Sequence, residues 1–290
     1  MKHDGRQAYA LLLPTILIMV GLVLFPVIVT FIYSLREYKL TEPENYNFLG
    51  LGNYIQVLKS QAFQDALLNT LVVVSVVLVI GFIFSVVVAL ILYPKTKLSG
   101  LLTAIAIIPW ALPPVVNGMV WRFIFYPGFG LMNIVMYRLH LIQDPITWLN
   151  TRYGTLIIVG LIVTWRVIPF GAIVFLANLH AIPEQVYEAA KVDGANGIQM
   201  FKHITLPLLM PSVAIVMTNL TMSAINVFDE IVALVGYRSM GETLLIFNYT
   251  QTFSFLNFGY GSAITYIIMI GSGVVGYYYI RSLNRGKELT

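Results

Sequence analysis

Six long apolar stretches limit what this chain can fold into, and each of them is at least 21 residues long. About 20 consecutive apolar residues cross the hydrocarbon core of a bilayer as a helix. Backbone amides and carbonyls must pair internally there, so runs of this length are helices. The sequence therefore predicts six membrane spans, at Tyr9–Ile32, Leu67–Tyr93, Leu101–Phe125, Leu156–Leu179, Leu206–Val235 and Tyr260–Ile280.

The composition agrees with a chain that lies mostly in lipid. Hydrophobic residues make up 58% of the sequence and charged residues 10%, whereas a soluble domain carries about 25% charged residues. We expect an all-α membrane protein that forms one domain over residues 1–290, with an N-terminal helix at 9–32 and core spans over about 67–280. The first span is longer than the apolar region of a signal peptide, about 7–15 residues, and indicates a retained anchor. The chain has no cysteine, which excludes disulfides and thiolate metal sites.

The basic residues near the span ends indicate the orientation. With the N-terminus in the cytoplasm, nine Lys and Arg residues lie on that side, against six spread over the longer outer loops. Both termini are therefore predicted to be cytoplasmic, and the basic balance reflects topology and not nucleic-acid binding. The nine inner residues are Lys2, Arg6, Lys95, Lys97, Lys191, Lys202, Arg281, Arg285 and Lys287. Prolines within the spans, including Pro113 and Pro114, are expected to kink or unwind the chain beside a cavity.

A polar cytoplasmic loop over about residues 181–206 separates spans four and five. Pro183 suits the first position of a short helix, and the pair Asp193-Gly194 is a stop signal with glycine available for the left-handed position. Val186, Ala189 and Ala190 share one small apolar face. A second short helix is expected from Asn196 to about His203, with Pro207 opening span five.

This loop resembles the "EAA loop" of binding-protein-dependent ABC importer permeases. The matching positions are Glu188-Ala189-Ala190, Asp193-Gly194-Ala195, Phe201, Ile204, Leu206-Pro207 and Pro211. Other segments resemble the carbohydrate branch of that family, in particular its maltose-permease-like first subunit. They are Phe48–Tyr54, Pro109–Trp121, Gly130–Asn133, Trp165 with Pro169-Phe170, and Phe258–Ala263. One departure is Gly236-Tyr237-Arg238, where the family often carries Gly-Gly-Pro.

The resemblance implies a type I ABC importer permease in a bacterial or archaeal cytoplasmic membrane. It implies a second homologous permease, two ATPase subunits and an extracytoplasmic sugar-binding protein as partners, besides membrane lipid. It also implies that ATP and Mg are bound by the ATPase, with no cofactor on this chain, and the sequence has no Gly-x-x-x-x-Gly-Lys-[Ser/Thr] motif. By resemblance, the residues that dock on the ATPase are Glu188, Ala189, Ala190, Asp193, Gly194 and Ala195.

Span five is unusually polar for a membrane helix. Asn219, Ser223, Asn226 and Glu230 follow helical spacing and place amides, a hydroxyl and a carboxylate along one face. Polar groups are costly against lipid, so this face should line the bundle interior. Asn and Ser also join membrane helices to one another. We favour the transport path for Asn219, Ser223 and Asn226, which the resemblance supports, and interpret Glu230 as a residue at the outer boundary.

Span four carries Arg166 near its middle and Phe170 one turn later. A charge at that depth must face water or a partner. The resemblance places both residues among the sugar contacts, whereas Trp165 is interpreted as a packing residue. Arginine is compatible with an anionic sugar or a phosphorylated polyol, and equally with a hydrogen-bonded neutral sugar.

An ion-coupled secondary transporter is the alternative from another class. It would place carboxylates in the middle of its spans, and the predicted spans have none there. An enzyme is disfavoured because His3, His140, His180 and His203 lie in separate segments without metal-ligand spacing. The sequence therefore favours the permease of a sugar importer, with an oligosaccharide as substrate.

Overall fold

The computed structural model describes residues 3–94, 96–237 and 241–287. Of the residues used above to predict orientation, Lys2 and Lys95 lie outside that part, as does Arg238 of the outer loop. All the named elements in the described part are helices. Extended pairing there is limited to the isolated bridges Arg36–Phe48 and Lys39–Asn257.

The described chain contains fourteen α-helices and three π-helical segments. The helices are α1 His3–Met19, α2 Phe25–Ser34, α3 Gly52–Lys59, α4 Gln61–Leu92, α5 Ser99–Ala111, α6 Pro114–Ile124, α7 Leu131–Arg138, α8 Arg152–Ala181, α9 Glu184–Val192, α10 Gly197–Met200, α11 Leu206–Ile225, α12 Asp229–Val235, α13 Leu244–Tyr249 and α14 Phe258–Lys287. The π-helical segments are Val20–Leu24, Phe201–Thr205 and Thr250–Ser254.

The predicted spans agree with the helices of the structure. Five helical stretches in the described chain are long and apolar enough to cross a membrane, and a bent pair of helices gives a sixth when it is counted as one span. The five are Leu11–Ser34, Gln61–Leu92, Arg152–Ala181, Gly197–Ile225 and Phe258–Arg281. The fold class predicted from the apolar runs is therefore correct. An even number of spans places both termini on the same side of the bilayer.

The third span, predicted over Leu101–Phe125, is broken at two of the prolines that were expected to kink or unwind it. Helix α5 ends at Ala111 and α6 begins at Pro114, and the two are bent by 94°. Neither Pro113 nor Pro114 has an amide hydrogen, and a residue before proline favours an extended backbone. Leu112 adopts that conformation, with φ −75° and ψ 130°. A single proline within span four causes no such break: α8 is continuous through Pro169.

The fifth span differs from its prediction at both ends. It starts at Gly197, well before Pro207, and runs through the π-helical segment Phe201–Thr205 into α11. Pro207 has no amide hydrogen to donate one turn back, and the change of helix type lies directly before it. At the other end α11 stops at Ile225, short of the expected Val235, and the chain resumes helical form as α12.

Contacts divide the chain into two units. The first contains the residues up to Gln64 together with Phe247–Gly271. Within it, the Asn53 side chain donates to the carbonyls of Ser34 at 2.9 Å and Arg36 at 2.8 Å. Gly259 packs against the backbone of Arg36, and a Cβ added at Gly259 would lie 2.3 Å from the Arg36 carbonyl oxygen. Two of the segments that carried the resemblance thus fix one loop.

The second unit contains Asp65–Ile246 and the chain from Ser272 onward. Its apolar core is built from α4, α8, α11 and α12, with Phe175, Ile162 and Leu220 almost fully buried. In the loop after α6, Asn133 donates to two backbone carbonyls and accepts from the Trp148 indole nitrogen at 2.8 Å. The prediction of a single domain over residues 1–290 stays a prediction.

Candidate functional site: the α9 loop and a polar cluster on α8, α11 and α12

The cytoplasmic loop contains the helix expected from its sequence. Pro183 lies at the N-cap, one position earlier than expected, and α9 runs from Glu184 to Val192. Asp193 caps the C-terminus, and Gly194 follows with φ +82°. A Cβ at Gly194 would meet nothing within 4 Å, so this glycine is required for its backbone conformation and not for space.

The small residues of α9 lie on two different sides of the helix. Ala190 is buried at 9% exposure, whereas Glu188 and Ala189 are exposed and Val186 is 38% exposed. The single apolar face expected for Val186, Ala189 and Ala190 is therefore wrong in part. Ala190 packs inward, which leaves a carboxylate beside a small residue on the outer side of the helix.

The second half of the loop is joined to span five. Asn196 and Gln199 form a capping box, in which Asn196 accepts from the Gln199 amide at 3.0 Å and Gln199 accepts from the Asn196 amide at 2.8 Å. The helix that starts there continues into α11, so the separate short helix expected over Asn196–His203 is wrong. The hydroxyl of Tyr187 lies 3.0 Å from that of Thr205, and this hydrogen bond ties α9 to the same continuous stretch.

The polar residues of span five are only partly on a helical face. Asn219 and Ser223 lie on α11 and are half-buried. Asn226 is the exposed C-cap residue, and its amide donates to the Met222 carbonyl at 2.9 Å. Because the helix ends there, the face expected to extend to Glu230 does not reach it.

Glu230 forms an ion pair with Arg166, and its interpretation as a boundary residue is wrong. The Arg166 Nε donates to the Glu230 Oε1 at 2.8 Å, and the side chains are 18% and 3% exposed respectively. Arg166 is the fifteenth of the 30 residues of α8. A carboxylate is therefore level with the middle of a span, which removes the sequence argument used against an ion-coupled transporter.

The ion pair lies where α6, α8 and α12 meet. A Cβ at Gly118 would be 2.7 Å from the Glu230 carbonyl oxygen and 2.8 Å from the Ala233 Cβ, so α6 and α12 are in direct backbone contact. Asn117 is fully buried and donates to the Ile162 carbonyl at 3.3 Å. Sequence reasoning missed Asn117 and Gly118, although an amide followed by glycine within an apolar run is a usable signal.

Two aromatic residues of α8, on either side of Arg166 in the sequence, contact aromatic rings of the third span. Trp165 is in T-shaped contact with Trp121, with centroids 5.8 Å apart, and Phe170 lies 6.2 Å from the Trp110 ring. In the described part of the chain, no hydrogen bond or ring contact joins Arg166 or Phe170 to Asn219, Ser223 or Asn226. The structure thus brings Arg166 to Glu230, and leaves Asn219, Ser223 and Asn226 as a separate group.

No group of three or more His, Asp or Glu side chains within residues 3–94, 96–237 and 241–287 is arranged to hold a metal ion.

Six membrane-crossing stretches, one of them broken, and an exposed helix between spans four and five are typical of a multi-pass membrane transport subunit. Residues 81–288 match the family described as "Binding-protein-dependent transport system inner membrane component". That match covers more than half of the chain. The protein therefore belongs to this family of inner-membrane transport components, which confirms the resemblance drawn from the loop after span four.

Characterised relatives are similar over nearly their whole length. The chain is 34% identical over 284 residues to the trehalose/maltose transport system permease protein MalF of Thermococcus litoralis, covering 94% of this chain and 93% of the relative. It is 30% identical over 267 residues to the arabinooligosaccharides transport system permease protein AraP of Bacillus subtilis, covering 90% and 83%. These relatives are transport permeases, and the carbohydrate branch indicated by the sequence is the one to which the chain is similar.

Solved structures of the same fold include a bacterial ABC transporter that imports the acidic polysaccharide alginate. A chain of that transporter matches with a TM-score of 0.82 and 22% identity, covering 98% of this chain and 96% of the other. A further structure contains the alginate transporter with an alginate pentasaccharide-bound periplasmic protein, at a TM-score of 0.81 and 22% identity, covering 96% and 93%. At this identity the likeness shows the fold.

Proposed function

We propose that this chain is one permease subunit of an ATP-driven importer of oligosaccharides. The observation that carries the proposal is its family membership together with 34% identity to a trehalose/maltose permease over almost the whole chain. The similarity to an arabinooligosaccharide permease supports an oligosaccharide as the substrate.

The proposal includes four kinds of partner. The alginate transporter of the same fold is an ABC transporter and is recorded in complex with a periplasmic protein. By analogy, this chain pairs with a second homologous permease and two ATPase subunits, and it receives sugar from an extracytoplasmic binding protein. ATP and Mg are bound by the ATPase subunits, and this chain carries no cofactor of its own.

The α9 loop is proposed to dock on the ATPase. Glu188 is exposed at the middle of the nine-residue helix α9, and the small side chain of Ala189 beside it allows the ATPase to approach closely. Ala190, Gly194 and Ala195 hold the loop in shape, since the Ala195 amide donates to the Ala190 carbonyl at 2.9 Å. Asp193 ends the helix and adds a second exposed carboxylate.

The substrate path is proposed to run along Asn219, Ser223 and Asn226, with Arg166 and Phe170 as further contacts. The side chains of Asn219 and Ser223 are only half-buried, and Asn226 is exposed. Polar groups are unfavourable against lipid, so this surface faces either the partner permease or the substrate. Amides and hydroxyls donate and accept, as sugar hydroxyls require.

Alanine substitutions of two asparagines test whether Asn226 contacts the sugar or only joins helices. Asn226 hydrogen-bonds within its own helix end, whereas Asn178 donates from α8 to the Ser212 hydroxyl on α11. Asn226→Ala is expected to lower sugar uptake about two- to tenfold, the effect of one neutral hydrogen bond, with normal assembly. Asn178→Ala is the matched control and should lower the yield of assembled transporter.

Uptake is measured in proteoliposomes that contain the complete importer and its binding protein, and assembly by co-purification of the ATPase. If Asn226→Ala lowers assembly and uptake to the same extent, Asn226 is a packing residue and the proposed path is wrong at this position.

A further inference from the structure

The charge of the substrate is not fixed by family membership. One relative is named for arabinooligosaccharides, and a transporter of the same fold imports the acidic polysaccharide alginate. Arg166 bears on this choice, because it is a cation in the middle of α8, one turn before Phe170 and proposed above as a sugar contact. What matters is whether its charge is free to act on a substrate.

Glu230 neutralises the charge of Arg166 through a direct ion pair. The Nε–Oε1 distance is 2.8 Å, and Glu230 is 97% shielded from solvent, with 3% of its side chain exposed. The pair therefore carries no net charge. A charged hydrogen bond in such a sheltered place is stronger than one in water, because the surroundings screen it less.

The backbone of Glu230 is packed directly against α6. Glu230 is the second residue of α12, directly after the break at the end of α11. The Gly118 backbone of α6 lies against it so closely that no side chain fits between the two helices. The Glu230 backbone is thus held against α6, and its side chain reaches Arg166 from that fixed position.

The paired guanidinium still has hydrogen-bond donors to offer. Only its Nε contacts Glu230, and within the described chain its two Nη nitrogens have no hydrogen-bond partner. The Arg166 side chain remains 18% exposed. Sugar hydroxyls and ring oxygens accept hydrogen bonds from such donors without requiring an opposite charge.

We infer that Glu230 sets the charge selectivity of the transport path: it neutralises Arg166 and leaves a surface of donors suited to uncharged oligosaccharides. This inference rests on the proposed function. It assigns Glu230 the role of a positioning and specificity residue that acts through Arg166. Removing the carboxylate should release a buried cation and favour acidic sugars, whereas removing the guanidinium should have the opposite effect.

The test measures sugar binding to the purified importer without its binding protein, so that the selectivity of the path is separated from that of the binding protein. The probes are three trisaccharides at millimolar concentration, built from glucose, galacturonate and glucosamine, with equilibrium dialysis as the assay. The wild-type importer should prefer the glucose trisaccharide. In Glu230→Gln, the affinity for the galacturonate trisaccharide should rise by about ten- to a hundredfold relative to the affinity for the glucose trisaccharide.

Three further variants make the result specific. Arg166→Gln should shift the binding preference towards the glucosamine trisaccharide. In the double variant Arg166→Gln/Glu230→Gln, the preference for the neutral glucose trisaccharide should return. Asp229→Asn removes the neighbouring, exposed carboxylate and should leave the preference unchanged.

A wild-type preference for galacturonate overturns the inference, as does an equal shift in Glu230→Gln and Asp229→Asn. Failure of the wild-type importer to bind any of the three sugars counts instead against the proposed function. If Glu230→Gln does not assemble because its cation is unpaired, the wild-type preference and the double variant decide. A double variant that assembles but prefers a charged sugar contradicts the inference.

Discussion

The contact between α6 and α12 at Gly118 can be tested by adding a single methyl group. In Gly118→Ala the new Cβ would lie 2.7 Å from the Glu230 carbonyl oxygen and 2.8 Å from the Ala233 Cβ. Contacts this short force the two helices apart by several tenths of an ångström. Overpacking of this kind costs about 1–3 kcal/mol.

A control is needed because alanine also has a higher helix propensity than glycine, by about 0.5–1 kcal/mol. Gly273 lies within α14, and a Cβ there would meet nothing within 4 Å. The difference between Gly118→Ala and Gly273→Ala therefore isolates the overpacking. In a domain of this size 1 kcal/mol shifts the melting temperature by about 2–4 °C, so Gly118→Ala should melt at least about 2 °C below the control.

The assay is thermal unfolding of the purified importer, followed by sugar uptake in proteoliposomes. Separation of α6 from α12 also moves the Glu230 backbone, so uptake should fall in Gly118→Ala and remain normal in Gly273→Ala. Equal melting temperatures for the two variants would show that α6 and α12 are not in direct backbone contact, and would refute the packing argument.

Two further predictions concern the loop and the topology. Glu188→Lys reverses an exposed charge on α9, which costs the fold little, and it should abolish uptake and co-purification of the ATPase while the subunit still inserts; normal uptake would disprove the docking assignment. Reporter fusions after Lys97 and Lys202 should report the cytoplasm, and fusions near Glu44 and Asp144 the exterior, whereas an external signal at Lys202 would contradict the assigned orientation.

The number of spans was predictable because long apolar runs have one stable form in lipid. The end of span five was not. A helical projection continued past Ile225 placed Glu230 on the same face as Asn219, but the break before α12 turns the chain and directs Glu230 to Arg166. These two residues are 64 positions apart, and a single sequence contains no signal that pairs them.

Motif residues that suggested the family from sequence have, in the structure, roles that local patterns do not reveal. Asn53 and Asn133 each hold a loop through two backbone carbonyls. The buried amide of each replaces hydrogen bonds that an irregular loop does not make within itself. These asparagines are therefore needed for loop shape, which the sequence showed only as part of the family resemblance.

The continuous helix from Gly197 to Ile225 has a mechanical consequence. Its 29 residues, at about 1.5 Å each, form a rod roughly 40 Å long, which exceeds the thickness of the hydrocarbon core. Tyr187 fastens α9 to this rod near its cytoplasmic end, and Asn219 lies near the other end. If α9 docks on the ATPase as proposed, a displacement of α9 acts through the Tyr187–Thr205 hydrogen bond on the same helical stretch that carries Asn219, and the π-helical segment before Pro207 lies at that junction.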